Sequence, residues 1–231
     1  MKYNVYVISS GRYDKLPFNS KQKKEYYFCV KEGEGHLYKV NGCINVFETG
    51  NLMQSRNFAL DHSFTEEKIC VQLSDDIKKV TVNKNFGEQK KIELNKAIKD
   101  IVSKFNKVKG VKLLGIPPTD NFFFATNIVS VNTFCIGDLL FIKPNDLRFD
   151  EQLTLKEDYD YTLQHQEKWG TIRYQKYLFT FEHYSNKGGA VDIRNDKEEK
   201  KKLISKAKNQ ASKKRMASDA EYSKKTGRSL R

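Results

Sequence analysis

The chain contains no apolar run approaching the roughly 18 residues that cross a bilayer, so no membrane-spanning helix is expected. Its opening stretch, MKYNVYVISSG, has no apolar segment followed by a cleavage site. It reads as a first strand, and a soluble, cytosolic protein is expected. There is no C-x-x-C pair. Cys29, Cys43, Cys70 and Cys135 lie far apart, three of them in apolar, strand-like surroundings, which suits buried reduced thiols. The four histidines are as scattered, which argues against a zinc site and gives a Cys/His nucleophile no local support. No internal repeat is visible.

What is present is a globular composition with uneven charge. Aromatic residues make up 12% of 231 positions, supplying apolar area that can offset chain entropy, which argues against global disorder. The net charge is +13. It divides sharply: residues 1–82 carry +2, 83–112 carry +6, 113–200 carry −4 and 201–231 carry +9. A near-neutral fold therefore holds one internal basic block, Lys84–Lys112, and a basic tail. Such a distribution suits a polyanionic partner, although a Lys-rich solvated helix and a solubilising tail have the same signature.

Hydrophobic periodicity gives the organisation. Strands are expected at Tyr3–Ser9, Tyr26–Val30, Asn45–Glu48, Ile69–Leu73, Phe122–Ala125, Thr133–Ile136, Leu139–Ile142 and Tyr177–Glu182. Helices are expected at Leu52–His62, Lys90–Phe105 and Lys156–Lys168. The second has an apolar stripe of Ile92, Ala97, Ile98, Ile101, Val102 and Phe105, with lysines on its other face. The alternation predicts an α/β fold around a mostly parallel sheet, with a domain over 1–195 and a basic tail over 196–231.

Four segments could carry chemistry. Ser74-Asp75-Asp76 closes a buried strand, where open α/β sheets bind ligands. Paired carboxylates there can hold Mg²⁺ or Mn²⁺ and, through it, a diphosphate; Asp-Asp is also a common turn dipeptide. Glu157-Asp158 opens a helix, either as a general base with its support or as ordinary acidic decoration of a helix start. Phe181-Glu182-His183 leads into Ser185-Asn186-Lys187-Gly188-Gly189. There an imidazole, a lysine and exposed backbone amides suit metal and phosphate, or simply form a hairpin loop. Finally, Ser55-Arg56-Asn57 interrupts an apolar helix stripe, with an arginine able to grip phosphate or to lie along the surface.

The order of these segments resembles the GT-A class of nucleotide-sugar glycosyltransferases. Tyr6-Val7-Ile8-Ser9-Ser10-Gly11-Arg12, Leu73-Ser74-Asp75-Asp76-Ile77, Leu155-Lys156-Glu157-Asp158-Tyr159-Asp160 and Phe181-Glu182-His183 through Gly188-Gly189-Ala190-Val191 are similar to the TET-associated glycosyltransferases of bacteriophages. The resemblance covers about residues 3–195. It implies a GT-A-like, Rossmann-type sandwich. It further implies metal-dependent, inverting transfer of a sugar from a nucleotide sugar, of the UDP-sugar kind, to a hydroxymethylated pyrimidine in phage DNA or to a sugar already on it.

The same resemblance implies residue roles. Asp76 and His183 would bind Mn²⁺ or Mg²⁺. Asp75 would bind the ribose or share the metal, and Ser74 stands where several members carry a further acid. Asp158 would be the base, supported by Glu157. Lys187, Gly188 and Gly189 would hold the diphosphate. Ser9, Gly11 and Arg12 would hold the nucleotide, and Arg56 would lie near it. The basic block and tail would bring DNA to the site, in the host cytoplasm if the chain is phage-encoded. The competing readings are a non-catalytic DNA-binding protein on a degenerate transferase fold, and a transferase acting on a polysaccharide.

Overall fold

A computed structural model describes residues 1–85, 88–124, 129–153 and 155–182. The alternation in β1 (Tyr3–Ser9) sends Val5 and Val7 into one core and Tyr6 into the other, so this strand is buried on both faces. It is followed by α1 (Ser20–Glu25), β2 (Tyr27–Val30), α2 (Gly35–Val40), β3 (Asn45–Glu48) and α3 (Leu52–Thr65). Next come β4 (Ile69–Ser74), β5 (Ile77–Asn85), β6 (Glu88–Ile92), α4 (Leu94–Lys107) and β7 (Leu113–Gly115). The chain ends its described part with β8 (Val129–Val131), β9 (Leu139–Ile142), α5 (Glu157–Lys168), β10 (Thr171–Tyr174) and β11 (Tyr177–Phe181).

Eight strands form the central sheet in the order β3-β2-β1-β4-β9-β7-β10-β8, and β11-β5-β6 form a small antiparallel sheet. β3, β2, β1 and β4 are parallel, as are β7 and β10. β9 runs against both of its neighbours, β4 and β7, so those two point the same way; β8 runs against β10. The sheet is thus mostly parallel, as expected, with two reversed strands. α3 and α5 supply Met53, Ala59, Leu60 and Tyr161 to the core on one face. α4 supplies Ala97, Ile98, Ile101, Val102 and Phe105 to the core on the other. The result is an α/β sandwich.

Three expectations are corrected. The helix expected from Lys90 begins at Leu94, because Glu88–Ile92 pairs as a strand with β5, placing Ile92 opposite Val80. Phe122–Phe124 is a single 3₁₀ turn, not a strand. Thr133–Ile136 is not a strand either: Cys135 bonds through both its amide and its carbonyl to the Thr162 hydroxyl of α5. The lysines of the internal block fall mostly on α4 and the edge strand β6, with Lys84 in β5 and Lys109 and Lys112 in the link to β7. All four cysteines are buried and free, in line with the sequence reading.

The parallel strands β1 and β4 end at the same edge of the sheet, and β9, running the other way, begins there. That edge collects the residues described next.

Candidate active site

The first cluster lies where β1 and β4 end. Asp75 and Asp76 are the two-residue link by which the chain leaves the large sheet for the small one. Asp75 is only 4% exposed. Its carboxylate accepts from the Ser9 hydroxyl and from the Arg12 guanidinium. Burial lifts the Asp75 carboxyl above the usual carboxylate range, while Arg12 and Ser9 pull the other way without cancelling it. The Ser9 hydroxyl also meets the Tyr38 hydroxyl at 2.6 Å. Between Ser9 and Arg12 the backbone turns through Gly11 at φ +69°, a conformation that favours glycine, and its amide donates to Glu34 at 2.8 Å.

Asp76 is half-buried, and its Oδ1 accepts from the Ser74 hydroxyl at 2.6 Å. Its carbonyl accepts the Glu182 amide at 2.9 Å, which ties the end of β11 to this turn.

The second cluster joins α3, β4, the turn before β9 and α5. Arg56 is 6% exposed. Its Nη1 donates to Gln72 at 3.1 Å, and its Nη2 to the Gly137 carbonyl at 3.0 Å and to Glu157 at 3.2 Å. Gln72 returns a bond to the Arg56 carbonyl at 2.9 Å, and the guanidinium lies 5.3 Å from the Phe149 ring centre. Nε of Arg56 is buried without a hydrogen-bond partner. The sequence reading expects Arg56 near the nucleotide or diphosphate; in the structure it is a buried pin between α3, β4 and the start of α5.

The Gly137 amide donates to Asp158 Oδ2 at 3.0 Å, and Asp158 Oδ1 accepts the Tyr159 amide at 2.9 Å. Asp158 stands in the first turn of α5, where free amides and the helix dipole favour an acid. Burial, followed by the neighbouring Glu157 charge, pushes its carboxyl above the ordinary range; the Gly137 amide and Arg56 oppose this only in part. A half-buried carboxylate held by two amides is suited to accept a proton from a hydroxyl.

The two clusters are linked by backbone. Ser74 donates its amide to the Asp138 carbonyl at 2.8 Å, so Gly137-Asp138 bridges the Asp75-Asp76 turn and the start of α5. The structure therefore brings Ser9, Gly11, Arg12, Asp75 and Asp76 to one strand edge, with Glu157 and Asp158 reached through this bridge. His183, Lys187, Gly188 and Gly189 lie outside the described residues, as does the basic tail. The sequence reading omitted Tyr38, Gln72, Gly137 and Asp138. Gln72 did carry a signal, being a lone polar residue inside an apolar run. Gly137 carried little, as one glycine before a strand.

A solved structure with a similar chain path is mannose-1-phosphate geranyltransferase from Thermus thermophilus, at 9% identity and a TM-score of 0.34. The match covers 78% of this chain and 58% of that one, so the chain spans less than two thirds of that protein's length. No curated protein sequence matches. The family model for the TET-Associated Glycosyltransferases matches residues 3–189, which takes in every strand and helix described above, and the chain belongs to that family.

Proposed function

We propose that this glycosyltransferase moves a sugar from a nucleoside diphosphate sugar to the hydroxyl of a hydroxymethylated pyrimidine in DNA, or to a sugar already there, with inversion. The observation that carries the reading is the placement of Asp158. It is the acid of the second cluster that burial and Glu157 make more basic, and it sits one residue-bridge away from the Asp75-Asp76 turn.

In this reading Asp158 takes the proton of the acceptor hydroxyl. The oxygen attacks the anomeric carbon, a glycosidic C–O bond forms, and the bond to the diphosphate breaks on the opposite face. The nucleoside diphosphate leaves with the electron pair. Ser9 and Arg12, both oriented by Asp75, bind the nucleotide. Glu157 and Arg56 fix the start of α5. Lys187, Gly188 and Gly189 remain the candidates for holding the diphosphate.

Mn²⁺ or Mg²⁺ fits this edge at Asp76. Both ions favour oxygen donors and bind through one or two carboxylates when substrate phosphates and water complete the shell. Asp75 fits less well, since it already accepts from Ser9 and Arg12. His183 follows directly after Glu182, whose amide is bonded to Asp76, and is the second candidate ligand. A cation bound there would neutralise charge on the departing diphosphate.

DNA as acceptor is supported by charge. Lys99 and Lys107 of the internal basic block line a groove of about 580 Å³ together with Lys2 and Lys68. That groove opens at the start of β1, about 20 Å along the strand from Ser9. No described helix is long and apolar enough to cross a membrane.

The test is sugar-nucleotide turnover with Mn²⁺, measured with plain, hydroxymethylated and already glycosylated DNA. Turnover stimulated only by modified DNA is the expected result. Turnover indifferent to DNA, or driven by a polysaccharide, overturns the acceptor assignment, and DNA binding with no turnover on any acceptor favours the non-catalytic reading.

A further inference from the structure

Beside the Asp75-Asp76 turn lies a cavity of about 200 Å³, lined among others by Pro117, Pro118, Asp120, Asp138, Thr180 and Phe181. Neither cluster described above uses its side chains. Both walls are fastened to the turn itself. On one side the Asp138 carbonyl accepts the Ser74 amide, and on the other Phe181 pairs with Ile77, the residue after Asp76. Asp138 also follows Gly137, whose amide holds Asp158. The cavity therefore borders both the turn proposed for the cation and the anchor of the proposed base.

We infer that this cavity is the subsite that recognises the sugar of the donor, with Asp138 and Asp120 as its specificity-determining residues. The inference rests on the nucleotide-sugar reading above and specifies where the sugar sits. Three properties argue for a sugar. The volume is below the roughly 300–1,000 Å³ of pockets that take drug-sized ligands, and suits one ring. Its charged groups are two carboxylates, accompanied by the hydroxyls of Thr119 and Thr180, the latter donating to Asp120 at 2.7 Å. Ionised carboxylates only accept hydrogen bonds, so they match an edge crowded with hydroxyl donors. They repel a diphosphate, and they repel the carbonyl edge of a pyrimidine. The apolar walls, Pro117, Pro118, Phe179 and Phe181, suit the C–H face of a sugar ring.

Asp138→Asn and Asp120→Asn preserve shape and remove the charge-assisted bonds to sugar hydroxyls. Calorimetry with Mn²⁺ compares UDP with UDP-glucose, UDP-galactose and UDP-N-acetylglucosamine, on the full chain and on each variant, with thermal melting as a control for folding. The expected result is unchanged affinity for UDP, a loss of about tenfold for the preferred UDP-sugar, and a changed ranking among the sugars. Equal losses for UDP and UDP-sugar overturn the inference, because the cavity then serves the nucleotide or the cation. Unchanged donor binding with weakened use of modified DNA overturns it in favour of an acceptor site. If both variants bind every ligand as the parent does, only this inference fails. If the parent binds neither UDP nor any UDP-sugar, the nucleotide-sugar reading fails, and the inference with it.

Discussion

Arg56 and Asp158 are joined through a single residue: Gly137 accepts from the Arg56 guanidinium through its carbonyl and donates to the Asp158 carboxylate through its amide, each at 3.0 Å. Glu157, adjacent to Asp158, takes the other bond from the same guanidinium nitrogen. The proposed base is thus aimed by a buried cation it does not touch through any described bond.

If Asp158 is the base, Asp158→Asn separates binding from transfer. The amide oxygen can still accept from the Gly137 amide, so the start of α5 keeps its shape. Turnover should fall by about 10²–10⁴-fold while nucleotide-sugar affinity is retained. Unchanged turnover would remove Asp158 from this role.

The pH profile should move in opposite directions for its two neighbours. A base is active when deprotonated, so the acidic limb of turnover follows the folded-state value for Asp158, which lies above the usual range. Glu157→Gln removes a charge that raises that value, and the limb shifts to lower pH. Arg56→Gln removes a charge that lowers it, and the limb shifts to higher pH. Limbs that move together contradict the assignment. Arg56→Gln also leaves Glu157 buried without its partner, at a cost of about 3–5 kcal/mol in stability, so its profile is best recorded at low temperature.

Gly137→Ala should be an activity variant. A Cβ there would stand 2.7 Å from Arg56 Nη2 and 3.3 Å from Asp158 Cβ, so the clamp must open. Gly115→Ala is the contrast. Its Cβ would meet Cβ and the backbone Cα of Cys135 at 2.7 and 3.0 Å, which overpacks the sheet and costs about 1–3 kcal/mol. Turnover per folded molecule should collapse for the first and survive in the second; the reverse pattern contradicts both assignments.

His165 should set an acid limit on stability. It is fully buried on α5, with Nδ1 2.9 Å from the Tyr161 carbonyl, so Nδ1 carries the proton; Nε2 has no partner. Burial lowers its pKa from 6.5 to about 4. Below pH 6.5 the unfolded chain gains a proton that the folded chain does not accept until about pH 4. Stability is therefore lost as pH falls through that window, by about 3 kcal/mol at its lower end. Denaturant titrations should show this slope in the parent and a smaller one in His165→Gln. An equal slope in both assigns the acid sensitivity to other groups.

Much of the fold was legible because the decisive signals are local. Tyr3–Ser9, Asn45–Glu48 and Leu139–Ile142 appear as strands with the bounds expected. α3 starts at the expected residue because Asn51 and Gln54 form a capping box. The failures are equally physical. Ile92 fits a helical stripe in sequence, yet its partner is Val80 across a strand pair, which no local pattern reveals. Phe134-Cys135-Ile136 has strand composition, but the Thr162 hydroxyl occupies the backbone groups of Cys135 that a ladder would need. At the site, the acids were visible as short motifs. What holds them was not, because Gly137 acts through its backbone, and Tyr38 and Asp138 reach the site only through the tertiary fold.

The reversal of β9 has a dynamic consequence. β9 starts where β1 and β4 end and is laddered on both sides, to β4 and to β7, so its own backbone sits in a protected part of the sheet. Releasing β9 itself requires it to unzip from two neighbours, an opening that should approach global unfolding in free energy. The turn that aims Asp158 is thus carried by a strand that opens late, whereas its own bond to Asp158 can break without loss of the fold. Amide hydrogen exchange at Leu140 and Phe141 should accordingly be among the slowest in the chain.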